Sequence, residues 1–296
     1  MSRHADAVRE LEGLRFPDGA AAGIPKLLHQ TNSIGALPNA MRDNIAELRR
    51  LNPDWDVRLY DDHATETFVA EHYGSGMLAE YRRIDRRYGP ARADLFRYLC
   101  LYKLGGVYLD LKSTATKPLN DVIQPDDVFL LSQWQEGPAS PRHDWGLHTK
   151  LSHVEGGEYQ QWFIVAAPGH PFLFAVALRV LRNIEAYHPK WGGVGKPGVL
   201  ALTGPIAYTL AIHPIREAHS HRRIDICKDG GFRYSIFSDD YVHFGLTRQH
   251  YTKLRAPIVR LGSIDLVFWL GYRFIRKSIT ALRLVGAKML RRDRIN

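Results

Sequence analysis

Hydrophobic and polar positions follow two rhythms along this chain, and the switches between them mark its elements. In residues 89–104, Ala91, Leu95, Leu99 and Tyr102 recur at helical spacing and predict one apolar stripe. Pro90 suits the first helical position, where its missing N–H would be unpaired anyway. Gly105 and Gly106 predict the stop, because glycine takes the left-handed cap conformation without a Cβ penalty. Residues 107–109 read as a short apolar strand with Asp110 at its end. Upstream, 26–30 reads as a first strand. Residues 39–51 read as an amphipathic helix with Ile45 and Leu48 inward, broken at Asn52-Pro53-Asp54. Residues 55–60 alternate like a strand. Asp61 or Asp62 can cap a helix running to Tyr73, and 77–84 predicts another helix.

Downstream, 128–132 and 162–167 read as strands, and 171–187 as a long helix with Phe174, Leu178 and Leu181 inward. Residues 192–198 predict a glycine-rich loop and 200–212 a helix around Thr203-Gly204-Pro205. Residues 224–226, 234–237 and 241–244 read as late strands. Residues 135–159 keep neither rhythm. A long irregular insertion of this kind is often a lid or binding loop, and recognition of a bound molecule is expected there. The alternation of helix and strand predicts an α/β layer fold. A carboxylate just past a buried strand lies where such folds place their ligands.

Composition narrows this picture. A chain of 296 residues with 45% hydrophobic content can bury a large core. The expected division is an N-terminal extension at 1–23, a main domain at 24–260 and a basic amphipathic tail at 261–296. Two cysteines far apart, Cys100 and Cys227, do not make a disulfide scaffold; they fit a reducing compartment, with Cys100 buried in its helix. No secretory signal pattern is visible near the N-terminus, and no run of about 18 uninterrupted apolar residues predicts a membrane-spanning helix. The formal net charge of +9 admits anionic membranes and phosphorylated substrates. No zinc-finger spacing or RNA-recognition signature accompanies it, so specific nucleic-acid binding is not expected. From residue 271 onward the chain carries eight basic residues against Asp293 alone, interleaved with apolar ones. That pattern reads as an amphipathic anchor on a membrane surface, or else as a docked terminal helix with a solvated basic face.

The run Ala-Asp-Leu-Phe-Arg-Tyr at 93–98, followed by Gly-Gly-Val-Tyr-Leu-Asp at 105–110, resembles the donor-site signature of glycosyltransferase family 32, the DXD-containing sugar transferases. That family includes initiating α-1,6-mannosyltransferases and bacterial capsule or lipopolysaccharide sugar transferases. The resemblance extends back to Ile24-Pro25-Lys26-Leu27-Leu28-His29-Gln30-Thr31 and, more weakly, forward to 162–171 and to Thr203-Gly204-Pro205. It implies a Rossmann-like GT-A fold and a retaining transfer from a nucleotide-diphosphate sugar to a glycan or lipid-linked acceptor. It also implies that Asp110 and Arg97 stand at the reacting centre, and that Asp94, Arg97, Tyr108, Asp110 and Lys112 line the donor site. A divalent cation, manganese, is expected on Asp110 with His243 as a late ligand.

One departure bears on that cation. The family pattern is Asp-X-Asp, and here the run is Asp110-Leu111-Lys112. A charged lysine cannot ligate a cation, though it can meet phosphate as a point charge. From the residues alone, Lys112 is a diphosphate ligand or a surface lysine, and Asp94 with Arg97 is a donor-site pair or an ordinary helix ion pair. His250, Asp239, Asp240, Tyr251 and Lys253 are further candidates for the late wall of the site, while His29 is expected to satisfy backbone groups by the first strand. Two rival functions remain open: a non-catalytic relative that keeps the sugar-nucleotide pocket, and a basic membrane-surface protein. The expected location is the cytoplasmic face of a membrane.

Overall fold

The structure, a computed structural model, describes residues 3–14, 23–33, 35–134, 142–226, 229–237, 251–263 and 265–272. Six strands form the main sheet: β1 (Leu27–Asn32), β2 (Asp56–Asp61), β3 (Gly106–Leu109), β5 (Phe129–Leu131), β6 (Phe163–Ala166) and β7 (Arg222–Arg223). Their order is β2-β1-β3-β6-β5-β7. β1 pairs in parallel with β2 and β3, β6 runs antiparallel to β3 and β5, and β7 is parallel to β5. A second small sheet pairs β4 (Thr114–Ala115) antiparallel to β8 (Phe232–Arg233). The result is the α/β layer fold that the sequence rhythm predicts, consistent with the GT-A type that the family resemblance implies.

The central strands β3, β5 and β6 are buried on both faces, and the side-chain alternation shows it. Val107 and Leu109 of β3, with Phe163 and Val165 of β6, point into one core. That core is covered by Ile45 and Leu48 of α2 (Asn39–Leu51). Tyr108, Ile164 and Ala166 point into the other. There they meet α5 (Gly89–Leu104), whose residues from Leu95 to Tyr102 are all buried. The single stripe expected for this helix is therefore too narrow: α5 is enclosed by the sheet, by α3 (Asp62–Tyr73), by α7 (Pro171–Glu185) and by α9 (Gly195–Leu202).

Two glycines set the turn from α5 into β3. Gly105 has φ +67° and Gly106 φ +98°, the region that favours glycine. A Cβ on Gly106 would collide with the Leu27 carbonyl oxygen and lie 2.9 Å from Leu27 Cβ. Close approach of β3 to β1 thus requires a bare backbone. His29 closes the same corner: Nε2 reaches the Gly105 carbonyl at 3.1 Å and Nδ1 the Tyr60 hydroxyl at 3.1 Å. Burial lowers its pKa to about 4, so the ring is neutral at physiological pH. His29 does satisfy a backbone group beside the first strand.

The N-terminal segment is built into the same core. Ala7 and Leu11 of α1 (Arg3–Gly13) are buried against α4 (Ser75–Arg83). Glu10 accepts the N–H groups of Gly76 (3.0 Å) and Met77 (2.6 Å), supplying a cap that Gly74 cannot. The remaining helices are α6 (Leu119–Val122), α8 (Pro189–Gly192) and α10 (Pro205–Ile212).

Several expectations shift. The loop expected at 192–198 is the end of α8 and the start of α9, and the helix expected at 200–212 is two helices separated at Thr203 and Gly204. Residues 195–218 are long and apolar enough to cross a membrane by composition, but 67% of the 18-residue apolar window within them is buried inside the fold, and the span is divided by this break. α7 buries Phe172, Leu173, Val176, Ala177, Val180, Leu181 and Ile184, whereas Phe174 and Leu178 are only partly covered, because the helix is packed on two sides. The late strands sit two residues earlier than expected, at Arg222–Arg223 and Phe232–Arg233. β7 is fixed there by Arg222, whose guanidinium pairs with both oxygens of Asp127 at 2.7 Å. The strand expected at 241–244 lies outside the described residues.

Candidate active site

α5 and β3 deliver Asp94, Arg97, Tyr108 and Asp110 to one place. Asp94 and Arg97 are three residues apart on α5, so both face the same way. Asp110 follows β3, and its N–H donates to the Trp162 carbonyl at 2.8 Å, which holds the strand end in place. The Arg97 guanidinium lies between the two carboxylates, 3.2 Å from Asp94 Oδ1 and 2.9 Å from Asp110 Oδ1. It rests over the Tyr108 ring at 4.4 Å and donates to the Gln161 carbonyl at 2.6 Å. The Tyr108 hydroxyl is tied to Thr31 Oγ1 at 2.8 Å.

Asp94 and Arg97 are almost fully buried, while the Asp110 side chain is 28% exposed. Burial pushes the Asp94 carboxyl up to about 6; Arg97 and a hydrogen bond from Thr203 pull against that rise. Burial also works against the charge on Arg97, but Asp110, Tyr108 and Asp94 outweigh it and hold the guanidinium protonated. The cluster is thus a cation gripped by two carboxylates, one buried and one open to the pocket.

Two residues that the sequence did not single out for chemistry complete the setting. Thr203, at the break between α9 and α10, donates through Oγ1 to Asp94 Oδ2 at 2.8 Å. Gln161, just before β6, donates through Nε2 to Asp94 Oδ1 at 3.2 Å. The Tyr98 hydroxyl lies against Gln161 Oε1 and 2.8 Å from the Thr203 carbonyl. Thr203 belongs to the weak Thr-Gly-Pro match; Gln161 carries no local signal.

Above this floor opens a pocket of about 630 Å³. Asp94, Arg97, Tyr108, Asp110 and Lys112 all line it, so the structure brings together the five residues expected for the donor site. One wall is aromatic. Trp134, Trp145 and Tyr234 pack edge to face, with ring centres 5.1–5.5 Å apart. Trp134 Nε1 donates to Glu158 Oε1 at 2.8 Å, and the other Glu158 oxygen meets His148 Nε2 at 2.7 Å. Part of the irregular stretch thereby reaches the pocket, as expected for a binding loop. Residues 135–141 of that stretch lie outside the described residues.

Arg86, Arg87 and Lys196 add positive charge to the lining. Tyr251 lines the pocket too, and its hydroxyl is raised by burial and by the charges of Asp94 and Asp110. Lys253 does not line it. His243, His250, Asp239 and Asp240 lie outside the described residues.

Residues 38–130, which hold the whole α5–β3 block, match the family described as "Glycosyltransferase sugar-binding region containing DXD motif". That match, over about a third of the chain, agrees with the family-32 resemblance of its motif block. The chain is 28% identical over 203 residues to an initiation-specific alpha-1,6-mannosyltransferase of Schizosaccharomyces pombe, covering 64% of this chain and 48% of that protein. It is 29% identical over 168 residues to inositol phosphoceramide mannosyltransferase 3 of the same yeast, covering 57% and 40%. The chain thus spans about half the length, or less, of these curated relatives. Among solved structures, the glycosyltransferase PaToxG aligns at 14% identity with a TM-score of 0.45, over 72% of this chain and 77% of that one.

A DXD family suggests dependence on a divalent cation, held by the two motif carboxylates. The described residues do not fit that role. Asp110 is the one carboxylate of the motif, and its Oδ1 is on Arg97. The second position is Lys112, whose Nζ lies 3.7 Å from the centre of the Tyr234 ring. Among the described residues, the one place where three ligand side chains converge is His4, Glu80 and Glu185, none of which lines the pocket. Arg83 is already paired with both of those glutamates.

Proposed function

We propose that this chain is a retaining glycosyltransferase that moves a sugar from a nucleotide-diphosphate donor to a glycan or lipid-linked acceptor. The observation that carries the reading is the Asp94–Arg97–Asp110 cluster at the floor of a pocket large enough for a nucleotide sugar. The family match and the mannosyltransferase names of the relatives support it, and inositol phosphoceramide in one of those names supports a lipid-linked acceptor and a hexose.

Each residue has a chemical part in this reading. Asp110, oriented by Arg97, accepts hydroxyl groups of the donor at the exposed oxygen. Asp94, buried behind it, keeps Arg97 in register. Lys112 and the rim cations meet the diphosphate, whose negative charge grows as it leaves. The aromatic wall offers a ring face to the acceptor and excludes water. The bond from the anomeric carbon to phosphate breaks, the bond to the acceptor oxygen forms on the same face, and the acceptor proton passes to the departing phosphate.

The test is hydrolysis of a panel of UDP- and GDP-sugars by the purified protein, with manganese and with chelator. Hydrolysis of one donor, abolished by Asp110→Ala, supports the reading. Binding of a nucleotide sugar without turnover would support the non-catalytic relative instead. No hydrolysis and no thermal shift with any donor would overturn the assignment.

A second surface supports peripheral membrane contact, which we propose lies at the cytoplasmic face. Leu266, Val267, Phe268 and Leu270 are exposed on a helical stretch, and Trp191 is 77% exposed. Lys190 joins the two, with Nζ 4.3 Å from the Trp191 ring centre and 5.5 Å from that of Tyr272. Bulky apolar groups beside a basic tail match an anionic bilayer surface. Residues 273–296, which carry most of the tail charge, lie outside the described residues. Co-sedimentation with phosphatidylglycerol vesicles, but not with phosphatidylcholine alone, is expected for the whole chain, and it should weaken in a Trp191→Ala/Phe268→Ala variant. Equal sedimentation of that variant would remove Trp191 and Phe268 from the contact.

A further inference from the structure

Resting on the donor-site reading above, we infer that Lys112 supplies in its side chain the positive charge that a divalent cation supplies in DXD sites, so that this chain binds a nucleoside diphosphate without metal. Three observations converge on it. The first is charge. Among the described residues, the pocket is lined by Arg86, Arg87, Arg97, Lys112 and Lys196 against Asp94, Asp110, Asp144 and Glu158. With aspartate at position 112 the balance would tip from five cations and four anions to four and five, and a bound cation would then be needed to admit a diphosphate. With lysine it is not.

The second is occupancy of the motif carboxylate. Arg97 is buried, permanently charged and 2.9 Å from Asp110 Oδ1, so one oxygen of the carboxylate is already engaged by a cation of the protein. A cation on the same group would be repelled by that guanidinium.

The third is placement. Lys112 does not stand on a loose loop. Its carbonyl accepts the Ile236 N–H at 2.8 Å, and the neighbouring Ser113 Oγ donates to the Tyr234 carbonyl at 2.7 Å. The β4–β8 pairing continues this contact. The Tyr234 ring is thereby held under the ammonium at 3.7 Å, and Arg142 approaches the same ring at 5.6 Å. A cation over an aromatic face keeps its charge while shedding part of its water, which suits an ammonium that must meet phosphate inside a pocket.

The experiment is calorimetric titration of the purified full chain with UDP and with GDP, once in manganese and once in EDTA, for wild type and for Lys112→Ala, Lys112→Arg and Lys112→Asp. The expected result is binding of one nucleotide by wild type with the same affinity in both buffers. Lys112→Ala should lose about tenfold or more in EDTA and Lys112→Arg much less. Lys112→Asp should bind only with manganese. Wild-type binding that requires manganese would overturn the inference and leave the donor site standing. So would wild-type affinity in Lys112→Ala. If neither nucleotide binds wild type in either buffer, while thermal melting shows a folded protein, the donor-site reading falls and the inference with it.

Discussion

Arg97 and Asp110 are joined across the floor of the pocket by a 2.9 Å ion pair whose two ends differ in environment: the Arg97 side chain is 4% exposed and that of Asp110 28%. The cation is fixed inside the protein and the anion is presented to whatever enters.

That asymmetry makes Arg97 hard to replace. Arg97→Lys keeps the charge but loses the fork that spans Asp94, Asp110 and the Gln161 carbonyl, and it loses the stack on Tyr108. Donor hydrolysis is expected to fall by about 100-fold or more. Arg97→Ala leaves Asp94 buried without its cation and should cost about 3–5 kcal/mol of stability. Chemical denaturation read beside activity separates the two effects. A Lys variant with wild-type turnover would show that the fork is not used.

The pH profile should report Asp94. Its carboxyl is raised to about 6, so below that pH it takes a proton and Arg97 loses one of its two anions. Donor binding is expected to weaken as pH falls through about 6. The stability term has the opposite sign. A carboxyl with a raised folded pKa favours the folded state below its unfolded value near 3.8, and that contribution is lost as pH rises through 6. Thr203→Val removes a bond that stabilises the ionised form, so it should move the apparent pKa of donor binding upward. A profile unchanged in that variant would detach the titration from Asp94.

Glu66 should make the protein acid-sensitive. It accepts hydrogen bonds from Arg82 (2.8 Å), Arg86 (3.0 Å) and Arg92 (2.6 Å). Burial opposes its charge, but Arg92, Arg82 and Arg86 outweigh that and draw its pKa down to about 2. The stabilisation is present above its unfolded value near 4.5 and is lost as pH falls from there toward 2. Glu66→Gln, which strands the buried Arg92, should cost about 3 kcal/mol or more at pH 7 and flatten stability between pH 4.5 and 3. Urea unfolding at several pH values measures both.

Gly106→Ala should fail to fold stably. Its φ of +98° disfavours any side chain, and the added Cβ would meet Leu27 backbone as well as Leu27 Cβ at 2.9 Å. Overlap with backbone in a packed sheet is expected to cost about 3 kcal/mol or more. Gly13→Ala, with nothing within 4 Å of the new methyl, is the control and should melt within a few degrees of wild type. Soluble yield and thermal melting decide between them.

The α5–β3 block could be read from sequence because it is contiguous: stripe, glycine stop, strand and terminal carboxylate follow one another between residues 89 and 110. The partners of Asp94 could not. Gln161 and Thr203 reach it from 67 and 109 residues away, through antiparallel pairing of β6 with β3 and through a helix break. No local pattern encodes either contact. The late strands were misplaced for a related reason. β7 and β8 have only two residues each, and their positions are set by Asp127 and by Thr114–Ala115 rather than by any periodicity of their own. Lys112 was visible as a departure from Asp-X-Asp, but its seat on Tyr234 depends on a segment 122 residues downstream.

The glycine pair at the head of β3 also works as a ruler. Gly106 is locked against Leu27, and Asp110 stands four residues further on, just past the strand end, so the position of the carboxylate is counted from the glycine. Side chains alternate faces along a strand, so one inserted or deleted residue between them would turn the carboxylate toward the core of Leu28, Ile45 and Trp55 instead of the pocket. The identity of the residues in this span can change without moving the carboxylate, but their number cannot.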